Sequence, residues 1–337
     1  MTGASPLSAS PLGASPLGPV AGIDIGGTKI AVLIVAADGA VLGRATRSSS
    51  AGDQDGAAEA IVGCLDEALA VAGLAREDLH AIGVGVPGRV DPLEGTVTLA
   101  VNLGWQDFPL RAALEARLGR PVIVENDARA AAIGLYERRV LGDLNDLAYL
   151  AVGTGIAAGV VLDGSLHRGA RGLAGEIGHA IAERDGPICT CGQRGCLEAF
   201  ASGPAIARRA GAPSSEAVYA AAASGDIEAR DLVDDVGRRL AWAVHLLVMT
   251  YDIERVVIGG GVSHAGPAFA EPIHRELARL RAASITAGEL LPADIVEILP
   301  SEAEAGAWGA VAIARQAGSA GDATASSVLG EEVVRHG

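Results

Sequence analysis

Three of the four cysteines in this 337-residue chain, Cys189, Cys191 and Cys196, fall within eight positions of one another, and His179 stands ten residues ahead of them. No other stretch limits the possible folds so tightly. Four soft donors make one tetrahedral zinc complement, and a Cys3His set leaves no open coordination position, which marks a structural ion. Gly192 and Gly195 let the backbone reverse sharply enough for both limbs of a short loop to reach one centre. The competing readings are three free core thiols, or a Cys189–Cys191 disulfide, which so short a loop would strain. If a metal pins this loop, it also fixes Glu176, His179 and Glu198 in space. Those three then become candidates for reading ligand hydroxyls.

Half of the residues are hydrophobic and a fifth are charged, enough for a sizeable core in one or two domains. No run of about eighteen uncharged apolar residues exists, so no membrane span is expected. The net charge of −15 disfavours nucleic acid and anionic membranes as main partners, because both would repel the molecule. A small neutral or cation-accompanied ligand fits better. The repeated ASPL segments within residues 1–19 have no apolar face and no basic start, so a disordered tail is expected there, not a signal peptide. A loose Gly/Ala/Ser-rich end is expected over 318–337. With cysteines of metal-binding type, the chain reads as cytoplasmic.

Structure is expected to start at VAGIDIGGTKIAVLIV, where two apolar runs flank Gly26, Gly27, Thr28 and Lys29 in a hairpin. The order of residues is wrong for a Walker loop, yet bare glycine amides and the Thr28 hydroxyl can cradle phosphate. Asp24 would then face the phosphates and hold Mg²⁺ through water. An ordinary Gly-Gly hairpin with a capping Asp is the alternative. Apolar residues every fourth position predict a helix over 53–73. A buried strand ending in PGRVD follows, then a strand to Asn102 and a loop with Trp105, both of which can line a pocket, and a helix over 110–118.

The run VIVENDARAAA predicts a strand ending in Glu125, Asn126 and Asp127, followed by a helix. Polar groups at the carboxyl end of an internal strand are where α/β sheets place ligands. Asp127 is either an N-cap or a general base for an alcohol. A second glycine turn, Gly153, Thr154 and Gly155, repeats the strand–turn–strand layout, as if a domain had been duplicated around a nucleotide. Helices are expected over 214–251, including one from Asp231 to Met249. A strand then ends in Gly259, Gly260 and Gly261, where a flat adenine can approach backbone. Helix 267–282, strand 294–299 and helix 304–316 complete the pattern.

DIGGTK, PGRVD, NLGW, ENDA, GTG, RGARGLAGEIGH, CTCGQRGCLE and IGGG, in this order from Val20 to Ala317, resemble the ROK family of repressors, uncharacterised frames and sugar kinases. The resemblance implies a two-domain actin-like ATPase (ribonuclease H-like) α/β fold with an interdomain cleft and a structural zinc loop. It places an N-terminal domain at 20–121, completed by a helix at 304–317, and a C-terminal domain at 122–303. It implies Asp127 as the base on a sugar hydroxyl, with Asn102, Asn126, Glu176, His179 and Glu198 on the other hydroxyls. The turns at 26–28 and 153–155 would hold ATP phosphates. Ala157, Ala158 and Arg129 depart from common family residues, without removing a group that has a chemical role.

Phosphoryl transfer from Mg²⁺-ATP to a hexose, glucose first, is therefore the expected activity, with N-acetylhexosamines, fructose and cyclitols as other acceptors. A sugar-sensing repressor is the expectation of another class. Repressors of the family carry a basic helix-turn-helix ahead of DIGGTK, whereas the ASPL stretch here has no Lys or Arg, which favours the kinase. A two-fold homodimer is the commonest assembly for such a chain.

Overall fold

The computed structural model describes residues 18–49, 53–300 and 303–326, with side chains up to 316. The expected N-terminal tail over 1–17 and the last eleven residues lie outside these. Strand β1 (Val20–Ile25) turns into β2 (Lys29–Val35) and then β3 (Val41–Ser48), each pair antiparallel. Helix α1 (Gln54–Ala72) begins on Asp53, whose carboxylate accepts the Gly56 amide at 3.1 Å, and ends on Gly73 in the left-handed region. Strand β4 (Ala81–Val86) then enters parallel to β1. A small three-stranded sheet follows, β5 (Arg89–Asp91), β6 (Thr96–Ala100) and β7 (Trp105–Phe108), and leads to helix α2 (Leu110–Leu118). Strand β8 (Val122–Asn126) closes the first large sheet, of order β3-β2-β1-β4-β8, and runs straight into helix α3 (Asp127–Glu137).

The second large sheet has the same layout. Antiparallel β9 (Leu147–Val152), β10 (Ile156–Leu162) and the short β11 (Ser165–Leu166) are joined by parallel β12 (Arg255–Gly259) and β13 (Val296–Ile298), in the order β11-β10-β9-β12-β13. Between β11 and β12 come the metal-type loop, α4 (Glu198–Ala201), α5 (Gly203–Ala210), α6 (Ser215–Ser224) and α7 (Ile227–Tyr251). Helices α8 (Pro267–Ala283) and α9 (Ile285–Leu290) precede β13, and α10 (Ala305–Ser326) ends the described chain. No helix among the described residues is long and apolar enough to cross a membrane.

The described chain divides into two compact units, one of residues up to 130 together with those from 306 on, the other of 131–305. In the first unit, strand alternation sorts side chains onto two faces. Ile23, Ile25, Val32, Ile34, Val84 and Val124 face α1 and α2, whereas Val20, Leu33, Val35 and Ala81 face Ala307, Trp308, Val311 and Ala314 of α10. In the second unit, Leu150, Val152 and Ile258 share a core with Val236, Leu240 and Val244 of α7.

Several expectations need correction. Residues 122–126 were expected to open the C-terminal domain, yet β8 pairs in parallel with β4, from Ile82↔Val122 to Val86↔Asn126, and so belongs to the first sheet. A strand boundary is readable locally, but the sheet it joins is decided by distant residues. The loop expected at Trp105 is a strand. Trp105 is buried with Phe108, ring centroids 5.1 Å apart and edge-on, so it packs the core and does not line a pocket. Helix α7 starts at Ile227 because Asp226 caps it, accepting the Ala229 amide at 2.9 Å. Helix α10 runs to Ser326 where a loose end from 318 was expected, as alanines at 317, 320, 323 and 325 outweigh the glycines at 318 and 321.

Candidate active site

In the first unit, pairing register aligns Asp24 with Gly85 and Gly85 with Glu125. The two acidic residues thus lie in one row across β1, β4 and β8, with a bare glycine between. A Cβ on Gly85 would meet Asp127 Cα at 3.6 Å and Ala130 Cβ at 3.7 Å, so the start of α3 sits over that gap. Burial first, and then the nearby Asp127 carboxylate, push Asp24 up from 3.8 to about 7, with Lys29 pulling partly back. A Cβ on Gly306, at the start of α10, would fall onto the Asp24 carboxylate, so only glycine leaves that carboxylate where it is.

Asp127 is held by its neighbours. Its Oδ1 accepts from Asn126 Nδ2 at 3.0 Å and from the Ala128 amide at 2.8 Å. Asn126 also donates to the Gly88 carbonyl at 3.1 Å and accepts the Arg129 amide at 3.1 Å. Both amide protons of Asn126 are therefore spent within the protein. Beneath them, Arg129 Nε meets Glu125 Oε1 at 2.7 Å, both side chains being at most 2% exposed, and the same oxygen accepts the Asn126 amide at 2.9 Å. Gly88 packs against Leu99 and Ala100, which lead into Asn102, exposed on a one-turn 3₁₀ helix.

In the second unit, the ligand atoms of His179, Cys189, Cys191 and Cys196 all lie within 4.8 Å of one another. His179 Nδ1 is 3.7 Å from Cys189 Sγ, and the Cys191 and Cys196 sulfurs are 3.7 Å apart. Bonds of about 2.3 Å around a tetrahedral centre give edges of about 3.8 Å, so the spacing fits one metal ion. Gly192 and Gly195 take positive φ of 88° and 76°, as the reversal requires. Gln193 was not anticipated: its Nε2 donates to the His179 carbonyl at 2.7 Å and to Cys196 Sγ at 3.1 Å. Histidine's other nitrogen, Nε2, is 3.9 Å from Glu176 Oε2. Glycines seat this strip on β10, since a Cβ on Gly175 or Gly178 would collide with the carbonyl of Ala158 or Ile156. Glu198 Oε2 accepts the Ile156 amide at 2.8 Å, just past the second glycine turn.

Each glycine turn is closed by its first glycine's amide, over four residues in one and three in the other. Gly26 N–H donates to Lys29 O at 2.8 Å, and Gly153 N–H to Gly155 O at 3.0 Å. Among the described residues, the amides of Gly27 and Thr28 and those of Thr154 and Gly155 donate to no protein acceptor. Such outward amides suit an anion. Gly153 approaches the third glycine motif, a Cβ on it lying 3.8 Å from the Gly261 nitrogen. There Gly259 leaves room for the Tyr149 hydroxyl, Gly260 has φ of 99°, and Gly261 faces open space. The first unit thus gathers Asp24, Asn126 and Asp127. The second gathers Glu176, His179, Glu198, the sulfur cluster and two glycine motifs.

Paired α/β units of one topology, a strand-to-helix carboxylate and a Cys3His loop define the class to which the chain belongs. The ROK family model matches residues 20–317, and this protein is a member of the ROK family. A glucokinase of Halalkalibacterium halodurans is 34% identical over 275 residues, 75% of this chain and 83% of that protein. A putative xylose repressor of a Caldicellulosiruptor species is 33% identical over 275 residues, 76% of this chain and 69% of its own length. The crystal structure of a ROK family glucokinase from Streptomyces griseus, in complex with glucose and AMPPNP, matches with a TM-score of 0.76 at 33% identity, covering 89% of this chain and all of that one.

Proposed function

We propose that the protein is an ATP-dependent hexose kinase on the actin-like ATPase (ribonuclease H-like) fold, converting glucose to glucose 6-phosphate. The observation that carries this reading is the junction of β8 and α3, where a buried ion pair and the Asn126 amide aim a carboxylate at the carboxyl end of the sheet's edge strand. A sugar hydroxyl ionises far above neutral pH, so a base must take its proton as oxygen bonds to the γ-phosphorus. Asp127 is that base. As the new bond forms, the bond from phosphorus to the β-phosphate oxygen breaks, ADP leaves with the electron pair, and the proton rests on the Asp127 carboxylate.

The amides of Gly27, Thr28, Thr154 and Gly155 take the phosphate oxygens, and Gly259 to Gly261 the nucleoside. Asp24 is a largely enclosed carboxylate whose ionisation burial opposes, and a dication beside it would relieve that; it would hold Mg²⁺, which would supply charge neutralisation at the phosphates. Asn102, Glu176, His179 and Glu198 bind sugar hydroxyls, and Asn126 acts chiefly by orienting Asp127. His179, Cys189, Cys191 and Cys196 hold a structural zinc. Without one, burial pushes the Cys196 thiol up to about 12, Gln193 offsetting and neighbouring Cys191 and Cys189 adding to it, so a bound cation is what would make that sulfur a thiolate.

A coupled ADP-release assay over hexoses, N-acetylhexosamines, fructose and cyclitols tests the reading, with glucose expected to give the highest kcat/KM. The repressor among the relatives supports a second reading, a sugar-responsive regulator. Sugar binding with no turnover on any acceptor would favour that one. One zinc per chain is expected by elemental analysis, and Cys191→Ser should lose metal and glucose binding together.

A further inference from the structure

The chain that leaves the sulfur cluster is laced to the second glycine turn at two points. Cys196 is followed two residues later by Glu198, whose Oε2 accepts the Ile156 amide at 2.8 Å. At the start of α5, the Gly203 amide donates to the Gly153 carbonyl at 2.8 Å. Ile156 and Gly153 bracket Thr154 and Gly155, the residues whose amides point out of the turn. The fit at the first point is tight, because a Cβ on Gly155 would lie 2.7 Å from Glu198 Oε2. The other carboxylate oxygen, Oε1, is 3.9 Å from Cys189 Sγ.

We propose that Glu198 is a positioning residue that couples the Cys3His cluster to the nucleotide-phosphate turn, so that an intact cluster sets nucleotide affinity in the absence of any sugar. This rests on the reading of residues 153–155 as a phosphate turn. The physical reason is geometric. A peptide plane between two glycine-flanked residues rotates easily, and an amide that turns away from the phosphate is lost to it. Hydrogen bonding the Ile156 N–H to the Glu198 carboxylate fixes the Gly155–Ile156 plane, and the Gly203 bond to the Gly153 carbonyl fixes the Gly153–Thr154 plane, so the Thr154–Gly155 plane between them is held from both ends. The carboxylate is fixed in turn because its residue stands two positions after a sulfur ligand, across the buried Leu197. A sugar-reading role alone would need no contact with the turn.

The test is equilibrium binding of Mg²⁺-AMPPNP to the full chain by calorimetry, without sugar. Glu198→Ala should weaken binding about tenfold, the scale of one lost charge-assisted hydrogen bond, while its zinc content stays that of the parent. Glu198→Gln keeps a carbonyl oxygen for the Ile156 amide and should stay within about threefold of the parent. Cys191→Ser should weaken nucleotide binding to the same degree as Glu198→Ala, and the double variant no further, because both cut one chain of contacts. If Glu198→Ala does not fold, Glu198→Asp, one methylene too short for the amide, carries the same expectation. Nucleotide affinity unchanged in the Glu198 variants, or losses that multiply in the double variant, would overturn the coupling. A parent that binds no AMPPNP at all would instead overturn the phosphate-turn reading beneath it.

Discussion

The two five-stranded sheets use one strand order, with a glycine-bearing hairpin in each, yet they equip their glycine turns differently. Register makes Val152 the counterpart of Ile25 and Ala151 the counterpart of Asp24, each next to last in its strand, and Gly259 stands beside Ala151 as Gly85 stands beside Asp24. The first sheet grows its carboxylate within the strand and anchors the neighbouring one with a buried ion pair, Glu125–Arg129. The second has an alanine there and borrows Glu198 from the cysteine loop. A backbone scaffold can thus be duplicated while the charge that works on it comes from inside the sheet in one copy and from an inserted loop in the other. Under the proposed function, the first arrangement would serve chemistry and the second ligand-holding.

Asp127→Asn breaks that division most sharply. Turnover should fall by about 10²- to 10⁴-fold or more, since an amide cannot take a proton near neutral pH. Glucose affinity by calorimetry and zinc content should not change. A variant within a few-fold of the parent would move the chemistry out of the first unit. Next in size is the ion pair. Arg129→Met removes the cation paired with buried Glu125, and should cost about 3–5 kcal/mol in denaturant unfolding. Adding Glu125→Gln should recover much of this. Recovery of stability without kcat would mean that the pair aims Asp127 as well as holding the fold.

A smaller effect distinguishes Asp24 from Ala151 by pH. Asp24 has a folded-state pKa raised from 3.8 to about 7, so its contribution to stability is fully present below pH 3.8 and is lost as pH rises through about 7. In metal-free buffer, Asp24→Asn should match the parent's melting temperature near pH 4 and exceed it near pH 8, and Mg²⁺-ATP should narrow the gap. The rise caps the difference at about 4 kcal/mol, and partial exposure of the carboxylate lowers it. Equal melting curves at both pH values would show that Asp24 ionises freely. The smallest effect is expected from Gly306→Ala. It should cost about 1–3 kcal/mol by overpacking and raise the KM for Mg²⁺-ATP while sparing glucose affinity. In an Asp24→Ala background the stability cost should vanish, because the carboxylate that the methyl strikes is gone.

What the sequence made legible was local. Spacing alone proposed the four donors that lie together around one centre, and alternation with glycine pairs proposed both hairpins. The junction of strand and helix at 126–127 was readable because a strand of β-branched residues meets an alanine run there. What escaped depends on distant partners. Arg129 looked like a departure without consequence until a helical turn brought it back onto Glu125. Glu198 read as a hydroxyl ligand because nothing in its own neighbourhood names Ile156, more than forty positions earlier. Gly306 carried no signal, since its reason is a carboxylate at the other end of the first unit's sequence. The assignment of β8 to the wrong domain has the same origin, for only Ile82 to Val86 say which sheet it joins.

Gly22 and Gly83 are paired in register beneath α10, and a Cβ on either would strike that helix's backbone, at Ala307 and Ala310. Helix α10 therefore lies directly on strands that precede it by more than half of the sequence. A nascent chain completes every strand of its second sheet before the ribosome releases the residues that cover this glycine-lined face of the first. The second unit, continuous in sequence, can fold as it emerges. The first keeps one side of its sheet uncovered until α10 has been made.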